Sequence, residues 1–124
     1  AGGGAAKPRP NFTAYAASKA AVVRFADSLA EELREFNIQV NTFSPGGAYT
    51  NMTDEILSAG EAAGWREIEA AEKVQQTGGI KPEKQIELAC FLASQASNHI
   101  SGKFLHVEDD WRRLLDTPAA PDLY

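Results

Sequence analysis

The stretch from Ala14 to Phe36 constrains this chain more than any other. Val22, Phe25, Leu29, Leu33 and Phe36 recur at spacings of three and four, the period of a helix face. Ala16, Ala20, Val23, Ala26 and Ala30 add a second apolar surface, and the charges come late, at Glu31, Glu32, Arg34 and Glu35. A helix that is apolar over most of its circumference is a buried one. This one is expected to pack on a sheet on one side and on a partner on the other. Thr13 is placed to cap its start, and Asn37 to close its end in the left-handed conformation. Ile38 to Phe43 (IQVNTF) then reads as a short strand, rich in branched and aromatic residues. A helix followed after one residue by a strand is one half of an α/β crossover.

A chain of 124 residues suggests one domain, or less than one. With 44% hydrophobic and 23% charged residues it has the composition of an ordinary globule, not of a disordered segment. The longest uninterrupted apolar run is Leu88 to Ala93, far below the roughly 20 residues that a membrane-spanning helix needs. Lys+Arg 12 against Asp+Glu 17 gives a net charge of −5, which argues against nucleic-acid and anionic-membrane partners. The lone Cys90 has no internal disulfide partner and lies in the apolar run, so it is expected in the core. No charged-then-apolar signal segment opens the chain, and a reducing, cytoplasmic setting is expected.

The remaining elements follow from punctuation. Residues 1–12 (AGGGAAKPRPNF) read as an extended loop. Ser44-Pro45-Gly46-Gly47 must be a loop. Asn51 to about Gly60 and Trp65 to about Gln76 read as two helical pieces, joined at Gly60 to Gly64 and ended by Thr77-Gly78-Gly79. Pro82 suits the first position of another helix, with Glu83 favouring its positive end. That helix should run to about Ser94 and turn Ile86, Ala89, Cys90 and Ala93 to one face. Lys103 to Val107 reads as a second strand, and the end of the tail, Glu108 to Tyr124, as irregular.

The sharpest chemical feature is Tyr15-Ala16-Ala17-Ser18-Lys19. Tyr and Lys four apart lie on one helix face, one turn from each other. A free phenol titrates near 10, too high for efficient proton transfer at neutral pH, and a nearby ammonium favours the phenolate. The pair could serve as a general acid/base with its own activator, or as an ordinary structural pairing.

Taken with Ile38-Gln-Val-Asn-Thr-Phe-Ser-Pro45-Gly46 and Thr50, this stretch resembles the short-chain dehydrogenase/reductase family, which carries Tyr-x-x-x-Lys on a long helix followed by a strand ending in Pro-Gly. Lys81-Pro82-Glu83, Phe91-Leu92-Ala93-Ser94 and Ile100-Ser101-Gly102-Lys103 are similar to the family's closing segments. Order and spacing agree over about residues 8–107. The resemblance implies a partial Rossmann-type (doubly wound) α/β unit, mostly helical, with the two short strands as parallel neighbours. It implies that Tyr15 exchanges a proton with the substrate oxygen as hydride moves to or from the nicotinamide of NAD or NADP. Lys19 would bind the nicotinamide ribose and lower the Tyr15 pKa. Pro45, Gly46 and the backbone at Ala48 would line the nicotinamide, and Thr50 would bond its carboxamide or a phosphate. Residues 51–77 would form the lid over a small carbonyl or alcohol substrate, and the helix of residues 13–36 a subunit interface.

Departures from the family pattern shape a further expectation. Gly2-Gly3-Gly4 follows no strand and leads into prolines, so it is not the dinucleotide loop. The family's catalytic Ser, a little over a dozen residues before the Tyr, has no counterpart, since Gly2 and Ala1 stand there. Glu108-Asp109-Asp110 replaces the usual Gly-Gly. The 124 residues thus read as the C-terminal half of such an enzyme, inactive in isolation and not binding NAD(P) alone. The alternative is a non-catalytic half that oligomerises through the 13–36 helix and the 38–43 strand edge. His99 and His106 lack the convergent partners of a metal site, and none is expected. Trp65 and Trp111 are read as core or lid anchors.

Overall fold

The computed structural model describes residues 2–115. After a loop, helix α1 spans Thr13–Glu32 and is followed by a 3-10 turn at Arg34–Phe36. Strand β1 is Thr42–Ser44. Helices α2 (Asn51–Ala59) and α3 (Trp65–Thr77) follow, separated by a 3-10 turn at Gly60–Ala63. Helix α4 is Pro82–Leu92, strand β2 is Phe104–His106, and a 3-10 helix covers Trp111–Leu115. The described residues are therefore mostly helical, with two short strands. β1 and β2 pair in parallel, Thr42 with Phe104, Phe43 with Leu105 and Ser44 with His106. The irregular end expected for the tail falls on residues 116–124, outside the described residues.

Asn37 closes the 3-10 turn in the left-handed conformation, as its position suggests, with φ 54° and ψ 39°. Pro82 opens α4. The start of α1 differs. Phe12, not Thr13, is the N-cap, and its side chain makes no capping bond. Phe12 instead packs against the cluster of Ile56, Ala63 and Ala71, so tertiary packing fixes where the helix begins. Both strands are shorter than their sequence patterns. At residues 40 and 41 side chains take over from the ladder: the Val40 N–H donates to Ser101 Oγ, and Asn41 bonds the Ile100 carbonyl and the Lys103 N–H. One backbone bond, from the Gly102 N–H to the Val40 carbonyl at 2.8 Å, crosses here, and the regular ladder starts at Thr42.

The principal core joins Leu88, Leu105, Val107 and Trp111, with Phe43, Ile80, Phe91 and Leu92 packed against it. Phe91 and Trp111 stack, with centroids 4.6 Å apart. This arrangement overturns two expectations for α4. Cys90 is exposed, and so are Ile86, Ala89 and Ala93. The larger side chains Leu88, Phe91 and Leu92, at i, i+3 and i+4, remove more apolar area from water and turn their own stripe inward. Cys90, two positions from Leu88, then faces away. Trp111 is a core anchor, while Trp65 is exposed. On α1 only Ala26 and Ala30 are buried, and Val22 and Phe25 remain exposed, Phe25 at 68%. The tight approach of the loop to α1 is made by Gly4, where a Cβ would lie 2.7 Å from the Ala16 Cα.

Candidate active site

In parallel sheets, ligand clefts open at the C-terminal ends of the strands. Here β1 ends at Ser44 and β2 at His106, and a cleft of about 660 Å³ opens beside both. Its walls come from the N-terminal loop, the first turns of α1, the loop after β1, and the inner faces of α2 and α3. All six positions singled out in the sequence, Tyr15, Lys19, Pro45, Gly46, Ala48 and Thr50, line it.

Helix α1 sets the first two side by side. Lys19 Nζ lies 5.2 Å from the centroid of the Tyr15 ring, one helical turn along the same face. The N-terminal loop returns over this face. A Cβ on Gly2 would lie 2.4 Å from Tyr15 Oη, so the backbone at position 2 stands directly beside the phenol.

The loop after β1 is held from three sides. The Pro45 carbonyl accepts a hydrogen bond from Gln85 Nε2 at 3.0 Å. The Gly47 carbonyl accepts the Ile80 N–H at 2.7 Å, and Ala48 forms an antiparallel bridge with Gly79. Thr50 is the N-cap of α2, and its N–H donates to Thr53 Oγ1 at 3.2 Å. Next to it, Tyr49 Oη donates to Asp54 Oδ1 at 2.5 Å, and this bond pushes the Tyr49 phenol above its ordinary value near 10.

Arg9, Glu67, Ser44 and His106 also line the cleft. Arg9 Nε and Nη2 donate to the two carboxylate oxygens of Glu67 at 2.9 and 2.5 Å. The Glu67 hydrogen bonds raise the guanidinium pKa further, against the opposing effect of partial burial. Arg9 Cζ also sits 4.4 Å from the Phe12 ring centroid and 4.9 Å from that of Tyr15. Nothing in the sequence links Arg9 to Glu67, 58 positions away. His106 at the end of β2 accepts the Glu108 N–H on Nδ1 at 3.2 Å, while Asp109 Oδ2 accepts the His106 N–H at 2.6 Å. His99 Nε2 instead lies 2.7 Å from the Leu114 carbonyl oxygen. Among the described residues no three His, Cys, Asp or Glu side chains converge as metal ligands, and no helix is long and apolar enough to cross a membrane.

The residues present fit the nicotinamide end of a dinucleotide. The cleft volume lies in the range of small-molecule sites. Gly2 and Gly3 present bare backbone to it, and Gly2 stands directly beside the Tyr15 phenol. An ammonium, a phenol and the Thr50 hydroxyl supply donors and acceptors for ribose and carboxamide.

Comparison with known proteins identifies the family. A family model described as enoyl-(acyl carrier protein) reductase matches residues 3–109. The chain is 35% identical to the 3-oxoacyl-[acyl-carrier-protein] reductase of Chlamydia pneumoniae, over 77% of this chain and 36% of the relative. It is 33% identical to the 5-keto-D-gluconate 5-reductase of Escherichia coli (strain K12), over 81% of this chain and 38% of the relative. It is 36% identical to the 2,3-dihydro-2,3-dihydroxybenzoate dehydrogenase of Bacillus subtilis (strain 168), over 76% of this chain and 38% of the relative. The chain therefore spans less than two-fifths of the length of these relatives. With the Tyr15–Lys19 turn, the Pro45–Gly46 loop and the parallel strand pair in one cleft, the matched residues make the chain a member of the short-chain dehydrogenase/reductase family of oxidoreductases.

Proposed function

We propose that these residues form the acid/base and nicotinamide-binding part of an NAD(P)-dependent oxidoreductase acting on a small carbonyl or alcohol substrate. The observation that carries the reading is the convergence of Tyr15, Lys19, Pro45, Gly46, Ala48 and Thr50 on one cleft at the strand ends. The nicotinamide supplies or takes the hydride at the substrate carbon. Tyr15 Oη gives its proton to the carbonyl oxygen in reduction and takes one from the hydroxyl in oxidation. Lys19 is the cation beside the ring when that proton has left, and it bonds the ribose hydroxyls. Pro45, Gly46 and the Ala48 backbone support one face of the nicotinamide, with Thr50 on its carboxamide or a phosphate. In this reading residues 1–12 lead into the site, residues 13–36 carry the acid/base, 38–50 the cofactor loop and 51–77 the substrate lid. Residues 82–107 complete the sheet.

The sequence has no glycine-rich phosphate loop after a strand, so the isolated 124 residues are expected to turn over no NAD(P)H. We further infer a homo-oligomer in a reducing, cytoplasmic setting, joined through the exposed Val22–Phe25 face of α1 and the open edge of β1. A monomer in sedimentation at high concentration would count against that assembly.

The test uses nicotinamide mononucleotide, the half of the cofactor that this cleft should hold. Titrated to millimolar concentration into the isotope-labelled chain, well above the range in which the chain is expected to leave NAD(P) unbound, it is expected to move the signals of Tyr15, Lys19, Gly46, Ala48 and Thr50, and Tyr15→Phe and Lys19→Met should weaken the effect. Perturbations confined to other residues, or none at millimolar ligand, would overturn the assignment.

A further inference from the structure

The segment Arg9 to Phe12 touches two parts of the molecule at once. On one side it meets the α2–α3 unit. The Arg9 guanidinium is paired through Nε and Nη2 with both oxygens of Glu67, in the first turn of α3. Both side chains are mostly buried, at 17% and 19% exposure. Asn11 lies against Gly64, where a Cβ would be 2.6 Å from Asn11 Nδ2. Phe12 packs against Ile56, Ala63 and Ala71.

On the other side the same segment meets Tyr15. Arg9 Cζ lies 4.4 Å from the Phe12 ring centroid and 4.9 Å from that of Tyr15, and those two rings meet edge to face at 6.4 Å. Pro8 and Pro10 flank Arg9 and restrict its backbone to extended conformations. A bidentate guanidinium–carboxylate pair fixes orientation as well as distance. The position of the guanidinium beside Tyr15 is therefore set by where Glu67 stands. The position of Glu67 reaches the phenol through Arg9.

We propose that Arg9 is a positioning residue for Tyr15, and that the Arg9–Glu67 pair couples docking of the α2–α3 unit to placement of the phenol. When α3 is docked, Glu67 holds the Arg9 guanidinium against the ring. When α3 lifts, Arg9 loses its orienting partner and the ring loses one wall. The acid/base is then set for reaction only under a closed lid. This inference rests on the reading of Tyr15 as the acid/base, but its test does not require catalysis.

The test follows the Tyr15 ring signals by NMR and the amide exchange of α2 and α3 in the full 124-residue chain. With three tyrosines in the sequence, Tyr15→Phe assigns the ring. Glu67→Gln keeps the size of the side chain and removes its charge. It is expected to shift the Tyr15 ring signals and to speed exchange of the α3 amides about tenfold, with the amides of residues 82–107 unchanged. Arg9→Lys, which keeps charge but not the fork, should displace the ring signals similarly. The exchanged pair Arg9→Glu with Glu67→Arg should return protection to α3 without returning the Tyr15 signals, because a carboxylate cannot lie over the ring as a guanidinium does. Unchanged Tyr15 signals in Glu67→Gln, with α3 loosened, would reduce the pair to a structural clamp and overturn the proposal. Unchanged α3 exchange would overturn it as well. The amides of residues 82–107 report whether any variant has lost its fold, and Glu67→Gln is the mildest of the set. Titration with nicotinamide mononucleotide separates the two readings, because the wild-type chain could fail to bind it while the coupling persists, or bind it while the coupling is absent.

Discussion

Replacing Gly79 with Ala probes how the floor of the cleft is held. Gly79 has φ +76°, and an added Cβ would lie 2.3 Å from the Gly47 carbonyl oxygen and 2.9 Å from its carbon. Both obstacles are backbone atoms, so no side chain can swing aside. The left-handed conformation alone costs a residue with a Cβ about 1–2 kcal/mol. Relief of the clash requires the two strands of chain to part by about 1 Å, to an ordinary C···O contact of roughly 3.3 Å. That movement breaks the Ile80 N–H bond to the Gly47 carbonyl, now 2.7 Å. A bond of this kind is worth about 1 kcal/mol net. The sum is about 2–3 kcal/mol, or roughly a 30- to 150-fold loss in the folded-to-unfolded ratio. With a urea dependence of about 1–3 kcal/mol per molar, the unfolding midpoint of Gly79→Ala should fall by about 0.7–3 M. The Ile80 amide should lose its exchange protection together with that fall. A midpoint within about 0.3 M of the parent, with Ile80 still protected, would refute the reasoning, since the assumed m-value would then leave well under 1 kcal/mol for strain and clash together.

Three further outcomes are expected. Leu88 is fully buried in the principal core, and Leu88→Ala should cost about 3 kcal/mol in urea unfolding through lost contact and a residual cavity. Gly2→Ser should shift the Tyr15 ring signals by NMR yet cost under about 1 kcal/mol, since the atom facing the new Cβ is the far end of a side chain. The Tyr49 phenol is raised by its bond to Asp54, so the fold favours its neutral form. Its contribution is whole below pH 10 and is lost as pH rises through the raised value. Urea midpoints measured from pH 9 upward should decline more in the parent than in Tyr49→Phe, and equal declines would contradict the bond.

The legible parts of this molecule are those written in local spacing. The helices, the left-handed Asn37, the Pro82 start and the one-turn Tyr15–Lys19 pair all depend on residues within one or two turns of each other. The Pro45–Gly46 loop was legible because proline and glycine punctuate a chain in any fold. Residues that answer to distant partners were not. Cys90 sits in an apolar run, but which stripe of α4 turns inward is decided by Phe43, Leu105, Val107 and Trp111 from elsewhere in the chain. Asn41 looks like a strand residue, yet its side chain bonds Ile100 and Lys103 and ends the ladder early. Arg9 carries no spacing to Glu67 that a pattern could detect, and Phe12 starts α1 by packing where Thr13 offered a cap.

The contrast between near and far contacts also orders the assembly of the site in time. Tyr15 and Lys19 belong to a single helical turn, whereas the floor beside them depends on pairs such as Ser44 with His106, and Asn41 with Lys103 across 62 positions. On a ribosome adding about 5–20 residues per second, the Tyr15–Lys19 turn emerges some 5–20 s before the second strand is complete. Closing so long a loop must also precede any gain from the strand pair, which makes its docking the slow event. The Tyr15–Lys19 pair is thus early and local. The surface against which it would work comes late, and only once the chain has returned upon itself.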